Sequence, residues 1–382
     1  MQKTKLHKDS IKNLEMEISK IDTEMVNCSN HEKERLHDKR IHAKQQLDLL
    51  YTNKAIGAQV RSRAKWIEEG ETNSAYFLNL EKSRQAFNNI QSLKYKEKTS
   101  QNDTGILEIC KDFYNNLYTS RDIPETLIKK YMSKISIPRK LTKEQIDICE
   151  GEIKASECNN VVRDLKKNKS PGLDGLTAEF YQQFWPEIKD IVIKAFNESY
   201  DLGSLPESMR VAVMTLIFKK GDTEDLENYR PISITNVDYK ILAFTLANRV
   251  QKVIHDIIDP DQVAYIQKRF IGTNIRLITD VIENASDGLL VFLDFKKAFD
   301  SIEWTFIFET LKQFNFGESF INWIKLLYFK PQICIKNNGY ISEQFQIYRG
   351  VRQGCPISCL IFILCVEMLA ESIRQNKEIS GH

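Results

Sequence analysis

The sequence lacks an apolar run long enough to cross a bilayer. Its longest apolar stretch lies near Ile357–Val366, whereas a membrane-spanning helix needs about 20 apolar residues. The first ten residues, MQKTKLHKDS, also contain no apolar core of a secretory signal. These absences predict an intracellular protein, cytoplasmic or nuclear, with no membrane partner.

Closely spaced pairs of cysteine or histidine are absent as well. The eight cysteines are scattered, and the closest of them, Cys355, Cys359 and Cys365, lie in an apolar stretch. Structural zinc sites are built from tight Cys or His pairs, and disulfide frameworks belong to small secreted chains. The pattern therefore predicts buried free thiols.

A strong excess of charge of one sign is a third absence. The chain has 382 residues, 54 Lys and Arg against 52 Asp and Glu, 42% hydrophobic and 28% charged residues. This composition excludes a disordered or collagenous chain. At roughly 150 residues per domain the length predicts two or three structural units. The near-neutral total still allows nucleic acid as a partner, because local basic patches supply the attraction to phosphates.

Residues 1–56 are charged and contain no proline. Apolar residues recur at helical spacing on one seam, which ends at a turn-forming cluster over 27–30: Ile11, Leu14, Ile18, Ile21 and Met25. A second helix is predicted over 31–51. We expect an antiparallel helical hairpin or coiled-coil-like linker; a merely solvated charged helix is the alternative.

Residues 57–140 begin with a mixture of basic and aromatic side chains. The basic residues Arg61, Arg63, Lys65, Lys82 and Arg84 are interleaved with Trp66, Tyr76, Phe77 and Phe87. Cations neutralise phosphates and aromatic faces stack on bases, so the mixture suits single-stranded nucleic acid. An amphipathic helix with a solvated face is the alternative interpretation.

From about residue 141 the pattern is that of a mixed α and β region. Thr142 and Gln145 form a candidate capping box, and Pro186 is a candidate first residue of a helix. Helices are also predicted over 154–167, 239–258, 302–314, 318–329 and 356–374. Strands are predicted over 211–218 and 289–294, and a hairpin over 332–349 turns at Asn337–Gly339.

Three segments carry residues suited to chemistry. Asp294 ends an apolar run, a position where a carboxylate can hold a hard cation beside a phosphate; a turn or cap residue is the bland alternative. Asp300 is predicted to cap the helix near Ile302. Two further segments combine cations with glycine and glutamine: Lys219, Lys220 and Arg230 on one loop, and Gly350, Gln353, Gly354 and Pro356 on another.

Several long motifs in fixed order resemble the reverse transcriptases of LINE-type, non-LTR retrotransposons. They are LDFKKAFDSI, RGVRQGCPIS, LIFKKGDTEDLENYRPISITNVDYKILAFTLANRV, KNKSPGLDGLTAEFYQQFW, DQVAYIQKRFIGTNI and RSRAKWIEEGETNSAYFLNLEKSR. The resemblance covers about 57–375. It implies an α+β right-hand polymerase, with an N-terminal extension over 57–140, fingers over 141–288 and an incomplete palm over 289–382, preceded by the helical region 1–56.

The resemblance also implies roles for individual residues. Asp294 matches the first metal-binding and catalytic aspartate, with the Phe295 carbonyl as a further metal ligand, and Phe299 matches the aromatic gate under the sugar. Gln353 and Gly354 match the block that contacts the nucleotide and template. Two fingers cations match triphosphate ligands, Lys220 and Arg230, with Lys219 as the alternative to Lys220. The implied cofactor is Mg²⁺, as two ions, and the implied partners are an RNA template, a DNA primer and dNTPs.

The sequence departs from the family pattern at one place. The family's Ala-Asp-Asp hairpin should follow the helix after Gln353, but no Asp-Asp pair occurs in the 382 residues. With one family carboxylate of three, we expect a truncated, inactive polymerase fragment with an open strand edge. The alternatives are a non-catalytic RNA-binding remnant and a reverse transcriptase resembling group II intron maturases; a purely helical scaffold explains less.

Overall fold

The computed structural model describes residues 2–26, 30–62, 89–284 and 288–378. The chain divides into two compact units, Met1–Asn89 and Ile90–His382. Helices and strands are mixed in the described residues, which confirms the predicted α+β class at this level. No helix in these ranges is long and apolar enough to span a membrane.

The first unit contains the two predicted helices. Helix α1 spans Gln2–Val26 and helix α2 spans Asn30–Ser62, and the two pack together. Ile11 and Ile21 of the predicted seam are buried, and so is Ala43 of α2. The prediction that the second helix ends near residue 51 was wrong, because residues 52–62 contain no proline and only one glycine to stop it. Residues 63–88 of this unit lie outside the described residues.

A five-stranded sheet forms the centre of the second unit. Its strands are β3 (Val211–Phe218), β4 (Tyr229–Thr235), β5 (Gln332–Asn337), β6 (Tyr340–Ile341) and β7 (Phe345–Gln346), in the order β4-β3-β5-β6, with β7 also paired to β5. Strand β3 is antiparallel to β4, from Ala212↔Thr235 to Phe218↔Tyr229. It is parallel to β5, from Val211↔Gln332 to Thr215↔Lys336. A separate antiparallel pair joins β1 (Leu93–Tyr95) to β2 (Lys98–Ser100).

The predicted hairpin turn is present between β5 and β6. Asn337 pairs with Tyr340 across two residues that both have positive φ, Asn338 at 51° and Gly339 at 86°. This is the conformation that an Asn-Gly pair favours in tight hairpins.

Helices account for most of the remaining ordered backbone. In the described part of the second unit they are Asp103–Tyr118, Glu125–Met132, Lys143–Cys149, Ala155–Asp164, Ala178–Leu202, Glu207–Arg210, Val237–Gln251, Ile254–Ile257, Ile271–Asn284, Ala298–Ser301, Trp304–Gln313, Glu318–Leu327 and Ser358–Arg374, with a 3₁₀ turn at Leu226–Asn228. The capping box at Thr142 and Gln145 is present. The predicted helix over 239–258 divides at Gln251 into two helices.

Two apolar clusters hold the second unit together. The larger one packs the helices around Val237–Gln251, Glu318–Leu327 and Ser358–Arg374. The other packs helix Asp103–Tyr118 on the sheet, and its members include Tyr114 and Met214. Because β3 is buried on both faces, its sequence is a continuous apolar run rather than an alternating one. The second cluster places the end of helix Asp103–Tyr118 beside the site described below.

The prediction that Pro186 begins a helix was wrong. Pro186 lies inside helix Ala178–Leu202, whose first turn is capped instead by the Thr177 hydroxyl, which accepts from the Phe180 amide. Tyr181 and Trp185 are buried on this helix. Their packing stabilises the helix around a proline that removes one internal hydrogen-bond donor.

The predicted strand Leu289–Asp294 is not formed. Residues 288–295 have no regular secondary structure, and the side chains of Leu289 and Phe292 are 89% and 79% exposed. A strand is stable only when its backbone groups pair with a neighbour. None of the strands in the described ranges pairs with this segment, which accounts for the missing strand.

The cysteines that the structure describes are free thiols, as predicted. Six of them are buried and Cys359 is half-buried. Burial raises the pKa of the Cys110 and Cys365 thiols to about 12. These groups are therefore neutral core side chains, without the thiolate that a metal ligand or nucleophile requires.

Candidate active site

A cleft of about 740 Å³ in the second unit brings together most of the residues singled out in the sequence. It is lined by three segments, around residues 219–231, 294–300 and 352–359, and by Tyr265. Asp294, Phe295, Phe299, Gln353 and Gly354 all lie in it, together with Arg230 and Lys219. Lys219 and Lys220 are both exposed, but of the two only Lys219 lines the cleft, so the placement favours Lys219 as the cation that this loop contributes.

The basic and aromatic segment cannot be placed relative to this cleft. Arg63, Lys65, Lys82 and Arg84 lie outside the described residues, and so does the side chain of Arg61 near the end of α2. Their predicted role in binding nucleic acid stays a prediction.

Cations outnumber acids around the cleft. Five basic side chains line it against three acidic ones: Lys219, Arg230, Lys296, Lys297 and Arg352 against Glu227, Asp294 and Asp300. An excess of positive charge in a concave site attracts phosphate groups. This charge balance suits a polyphosphate ligand better than a neutral or cationic one.

Lys297 is the most enclosed of the lysines that line the cleft. Its side chain is 9% exposed, and its ammonium lies 5.3 Å from the centre of the Phe113 ring. Nζ donates to the Tyr229 carbonyl at 3.4 Å and lies 3.9 Å from Glu227 Oε2. Burial lowers the pKa of the Lys297 ammonium. The charge is held at the wall of the cleft with few protein partners.

Asp294 and Phe295 lie on the exposed segment that enters the cleft. The Asp294 carboxylate makes no hydrogen bond or ion pair within the described residues, so its oxygens remain available to a cation. Together with the Phe295 carbonyl it offers two oxygen donors. Mg²⁺ prefers such donors, and completes six-fold coordination with water and substrate phosphates. The residues present fit one side of a magnesium site.

A second group of acidic side chains lies elsewhere, and its carboxylates are already paired with an arginine. Asp259, Glu367 and Glu371 are close enough to share an ion, and they are the one such group of three in the described ranges. Arg374 lies among them, with Nη1 2.8 Å from both Glu367 Oε1 and Glu371 Oε1. The arginine makes this cluster a structural ion-pair network rather than a metal site.

Phe299 forms an apolar part of the cleft wall. Its ring stacks on Phe362, with centroids 4.4 Å apart and an angle of 15° between planes. Phe362 belongs to helix Ser358–Arg374. The stacked partner fixes one face of the Phe299 ring.

The turn over 349–357 is fitted closely against the other two segments. Gly354 has φ 108°, and a Cβ at this residue would lie 2.7 Å from the Ser233 carbonyl oxygen. The Ser233 amide donates to the Gln353 carbonyl at 2.8 Å, and the Val351 amide donates to the Phe299 carbonyl at 2.7 Å. Only glycine combines this conformation with so close an approach. The turn thereby holds Gln353 at a fixed place in the cleft.

The contacts of two buried polar residues that line the cleft were not predicted. The prediction that Asp300 caps a helix near Ile302 was wrong. Its side chain is 1% exposed and accepts hydrogen bonds from Tyr118 and Gln353. Burial raises the pKa of the Asp300 carboxyl. Arg352 is 4% exposed, stacks over the Tyr239 ring at 5.0 Å, and donates to the Arg210 carbonyl. No short-range sequence signal marks either contact.

Comparisons with known proteins indicate a family for the part of the chain that contains the cleft. Residues 217–381 match the family described as reverse transcriptase (RNA-dependent DNA polymerase). The chain is 33% identical, over 89% of its length, to the transposon TX1 uncharacterized 149 kDa protein of Xenopus laevis, and covers 26% of that protein. It is 26% identical, over 59% of its length, to the retrovirus-related Pol polyprotein of the type-2 retrotransposable element R2DM of Drosophila melanogaster, covering 21% of it.

A further relative is the RNA-directed DNA polymerase from mobile element jockey of Drosophila melanogaster, at 24% identity over 67% of the chain and 28% of that protein. The chain thus spans roughly a quarter of the length of the relatives it matches. The resemblance seen in the sequence is thereby confirmed: residues 217–381 match a reverse transcriptase, and the similar proteins come from non-LTR retrotransposons of the LINE type.

Proposed function

We propose that the second unit contains the fingers and the first part of the palm of an RNA-directed DNA polymerase. In this proposal the cleft binds the incoming deoxynucleoside triphosphate opposite an RNA template, next to the end of a DNA primer. One observation carries it: three segments far apart in sequence, each matched to nucleotide binding by the family resemblance, line a single cationic cleft.

The cations of the cleft would bind the triphosphate. Lys219 directly follows β3, Arg230 lies on β4, and Lys297 comes from the segment over 294–300. Charge-assisted hydrogen bonds to phosphate are about twice as strong as neutral ones. Phosphoryl chemistry depends chiefly on positioning and charge neutralisation, which is what these side chains supply.

Phe299 and Gln353 would select and orient the nucleotide. The Phe299 ring, fixed by its stacking on Phe362, is the wall against which the sugar would pack and which disfavours a 2′-hydroxyl. Gln353 and Gly354 would contact the nucleotide and template from the turn described above. Exclusion by a rigid wall is effective because packed aromatic rings yield little.

Asp294 and the Phe295 carbonyl would hold a divalent cation, with Mg²⁺ as the expected ion. When bound, two hard cations about 3.5–4 Å apart stabilise the attacking and leaving oxygens of an in-line displacement. The 382 residues contain one of the three carboxylates expected for such a pair. We therefore propose that residues 1–382 by themselves bind template, primer and dNTP but do not extend the primer.

The test measures nucleotide binding and extension separately. The 382-residue chain is mixed with an RNA template, a DNA primer, Mg²⁺ and labelled dNTPs. We expect preferential binding of the complementary dNTP and no cDNA. Asp294→Ala should weaken this binding, whereas Asp190→Ala, which removes an exposed acid of helix Ala178–Leu202, should not. Equal binding of all four dNTPs would contradict the proposal, and cDNA synthesis abolished by Asp294→Ala would contradict the inactivity.

Adjacent lysines give a matched pair for the same assay. Lys219→Ala should weaken dNTP binding about tenfold, since a charge-assisted hydrogen bond contributes about 1.5–3 kcal/mol. Lys220→Ala should change it less than about twofold, because Lys220 does not line the cleft. A larger loss of dNTP binding in Lys220→Ala than in Lys219→Ala would assign the triphosphate contact to Lys220, as the family resemblance first indicated.

A non-catalytic RNA-binding remnant is the second candidate. It is favoured by the absence of an Asp-Asp pair from these 382 residues. RNA binding that falls steeply with salt, without any template-dependent dNTP binding, would support it over the polymerase cleft. The third interpretation, a reverse transcriptase resembling group II intron maturases, receives no support from the retrotransposon names of the relatives above.

A further inference from the structure

A buried carboxylate in the wall of the cleft joins two distant parts of the chain. The Tyr118 hydroxyl donates to Asp300 Oδ1 at 2.7 Å. Gln353 Nε2 donates to Asp300 Oδ2 at 2.9 Å. Asp300 is 1% exposed and Tyr118 is 5% exposed, so neither hydrogen bond competes with bulk water.

The hydrogen bond from Gln353 fixes which end of its amide faces the cleft. A glutamine amide has a donor end, the NH₂ group, and an acceptor end, the carbonyl oxygen, whereas an ionised carboxylate only accepts. Asp300 therefore engages the NH₂ end. Within the described residues Gln353 Oε1 accepts no hydrogen bond, and Gln353 lines the cleft. A bound nucleotide thus meets a hydrogen-bond acceptor.

The backbone around Gln353 is held without help from the Asp300 side chain. The Ser233 amide donates to the Gln353 carbonyl, and the Val351 amide donates to the Phe299 carbonyl. Gly354 also lies against Ser233. Changing the Asp300 side chain should consequently leave Gln353 in place and alter only the orientation of its amide.

Tyr118 determines how an uncharged replacement of Asp300 would orient. Burial raises the pKa of the Tyr118 hydroxyl well above its usual range, so it stays a donor, and Asp300 Oδ1 is its acceptor. An asparagine at position 300 would present its oxygen to Tyr118 and its NH₂ group to Gln353. The Gln353 amide would then have to rotate, turning its own NH₂ group toward the cleft.

We propose that Asp300 is a positioning residue that keeps the carbonyl end of the Gln353 amide directed at the incoming deoxynucleoside triphosphate. The ligand group recognised is a hydrogen-bond donor of that nucleotide. This inference rests on the proposed function, because it assigns a task within the same cleft.

The experiment compares three variants in the template-dependent dNTP binding assay. Asp300→Asn should weaken binding of the complementary dNTP about tenfold, because one acceptor is replaced by a donor. Tyr118→Phe alone should change it less than about twofold, since the carboxylate still accepts from Gln353. The double variant should recover to within about threefold of wild type, because without the tyrosine hydroxyl the oxygen of the introduced asparagine is free to face Gln353.

Recovery separates positioning from a merely structural role. Thermal unfolding of the same variants should place the double variant below either single variant in stability, although it binds dNTP better than Asp300→Asn. Affinity that simply follows stability through the series would overturn the inference. Wild-type protein without any template-dependent dNTP binding would instead overturn the proposed function.

The wild-type chain provides a test that needs no substitution at position 300. The side-chain amide protons of Gln353, assigned in NMR spectra by their loss in Gln353→Met, should exchange with solvent much more slowly than those of the exposed Gln183. Equally fast exchange at the two glutamines would contradict the hydrogen bond to Asp300 and the inference with it. This measurement decides the question even if Asp300→Asn does not fold.

Discussion

Two buried arginines of the second unit lie in regions that differ in hydrogen bonding, which is complete around one and incomplete around the other. Arg249, 2% exposed, donates to both Glu157 oxygens at 2.7 and 2.8 Å, and to the carbonyls of Cys149, Gly151 and Glu152. Arg352, 4% exposed, donates to one carbonyl, and its Nε and Nη1 have no partner among the described residues. An arginine has five N–H donors, so the first is saturated and the second is not.

The difference extends to the groups around each arginine. Although burial opposes it, the hydrogen bonds from Arg249 lower the pKa of Glu157. Around the cleft the pKa shifts disfavour the charged forms instead, because burial raises the pKa of Asp300 and lowers that of Lys297. Buried groups without full compensation cost folding free energy. Such groups in a cleft are typical of a site whose ligand supplies the missing partners.

The largest effect on stability should come from replacing Arg249, the arginine whose donors are all hydrogen-bonded. Arg249→Met removes the arginine's hydrogen bonds to the Glu157 carboxylate and to three carbonyls, of which Glu157 and Gly151 keep one other donor each. It should lower the free energy of unfolding by about 3–5 kcal/mol. Urea unfolding measures it. Arg163→Met, at an exposed arginine paired only with the neighbouring Asp164, is the control and should cost less than about 1 kcal/mol. A loss at position 249 as small as the control would contradict the comparison.

A smaller loss of stability should follow from Arg352→Met. Only one hydrogen bond is broken, worth about 1 kcal/mol, and the desolvation of two unpaired nitrogens is relieved. The same variant should reduce dNTP binding more than Arg249→Met does in protein that remains folded. Equal losses of stability at the two positions would show that Arg352 is as fully bonded as Arg249.

The smallest effect should appear in the pH dependence of stability. The lowered pKa of Glu157 contributes stability above its ordinary value of 4.5, which is lost as the pH falls through the lowered value. The raised pKa of Asp300 has the opposite effect on stability. Asp300 contributes stability to the protein below pH 3.8, and this contribution is lost as the pH rises through the raised pKa.

Two variants measure these opposite signs. As the pH rises toward 4.5, Glu157→Gln should become more destabilising relative to wild type. As the pH rises above 3.8, Asp300→Asn should become less destabilising. Thermal unfolding at several pH values checks this. If the destabilisation by the two variants changed with pH in the same direction, the opposite pKa shifts of Glu157 and Asp300 would be contradicted.

What the sequence predicted correctly was local. Strand Val211–Phe218, the capping box at Thr142 and the Asn-Gly turn after β5 each depend on neighbouring residues. The cleft residues could be found because family motifs preserve residue types in order. The hydrogen bond from Tyr118 to Asp300 joins residues 182 apart, and no periodicity or spacing encodes such a contact. The strand expected at 289–294 failed for a related reason: its stability depends on a partner rather than on its own apolar residues.

The parallel pairing of β3 with β5 has a consequence for the order of events during synthesis. Val211 pairs with Gln332, so β3 leaves the ribosome well before its neighbour exists. At about 5–20 residues per second, the roughly 120 residues between them take about 6–24 s to translate. Throughout that interval β3 has only β4 beside it, and one of its edges is open to other chains. The nascent protein is thus most prone to aggregation before residues 332–337 emerge.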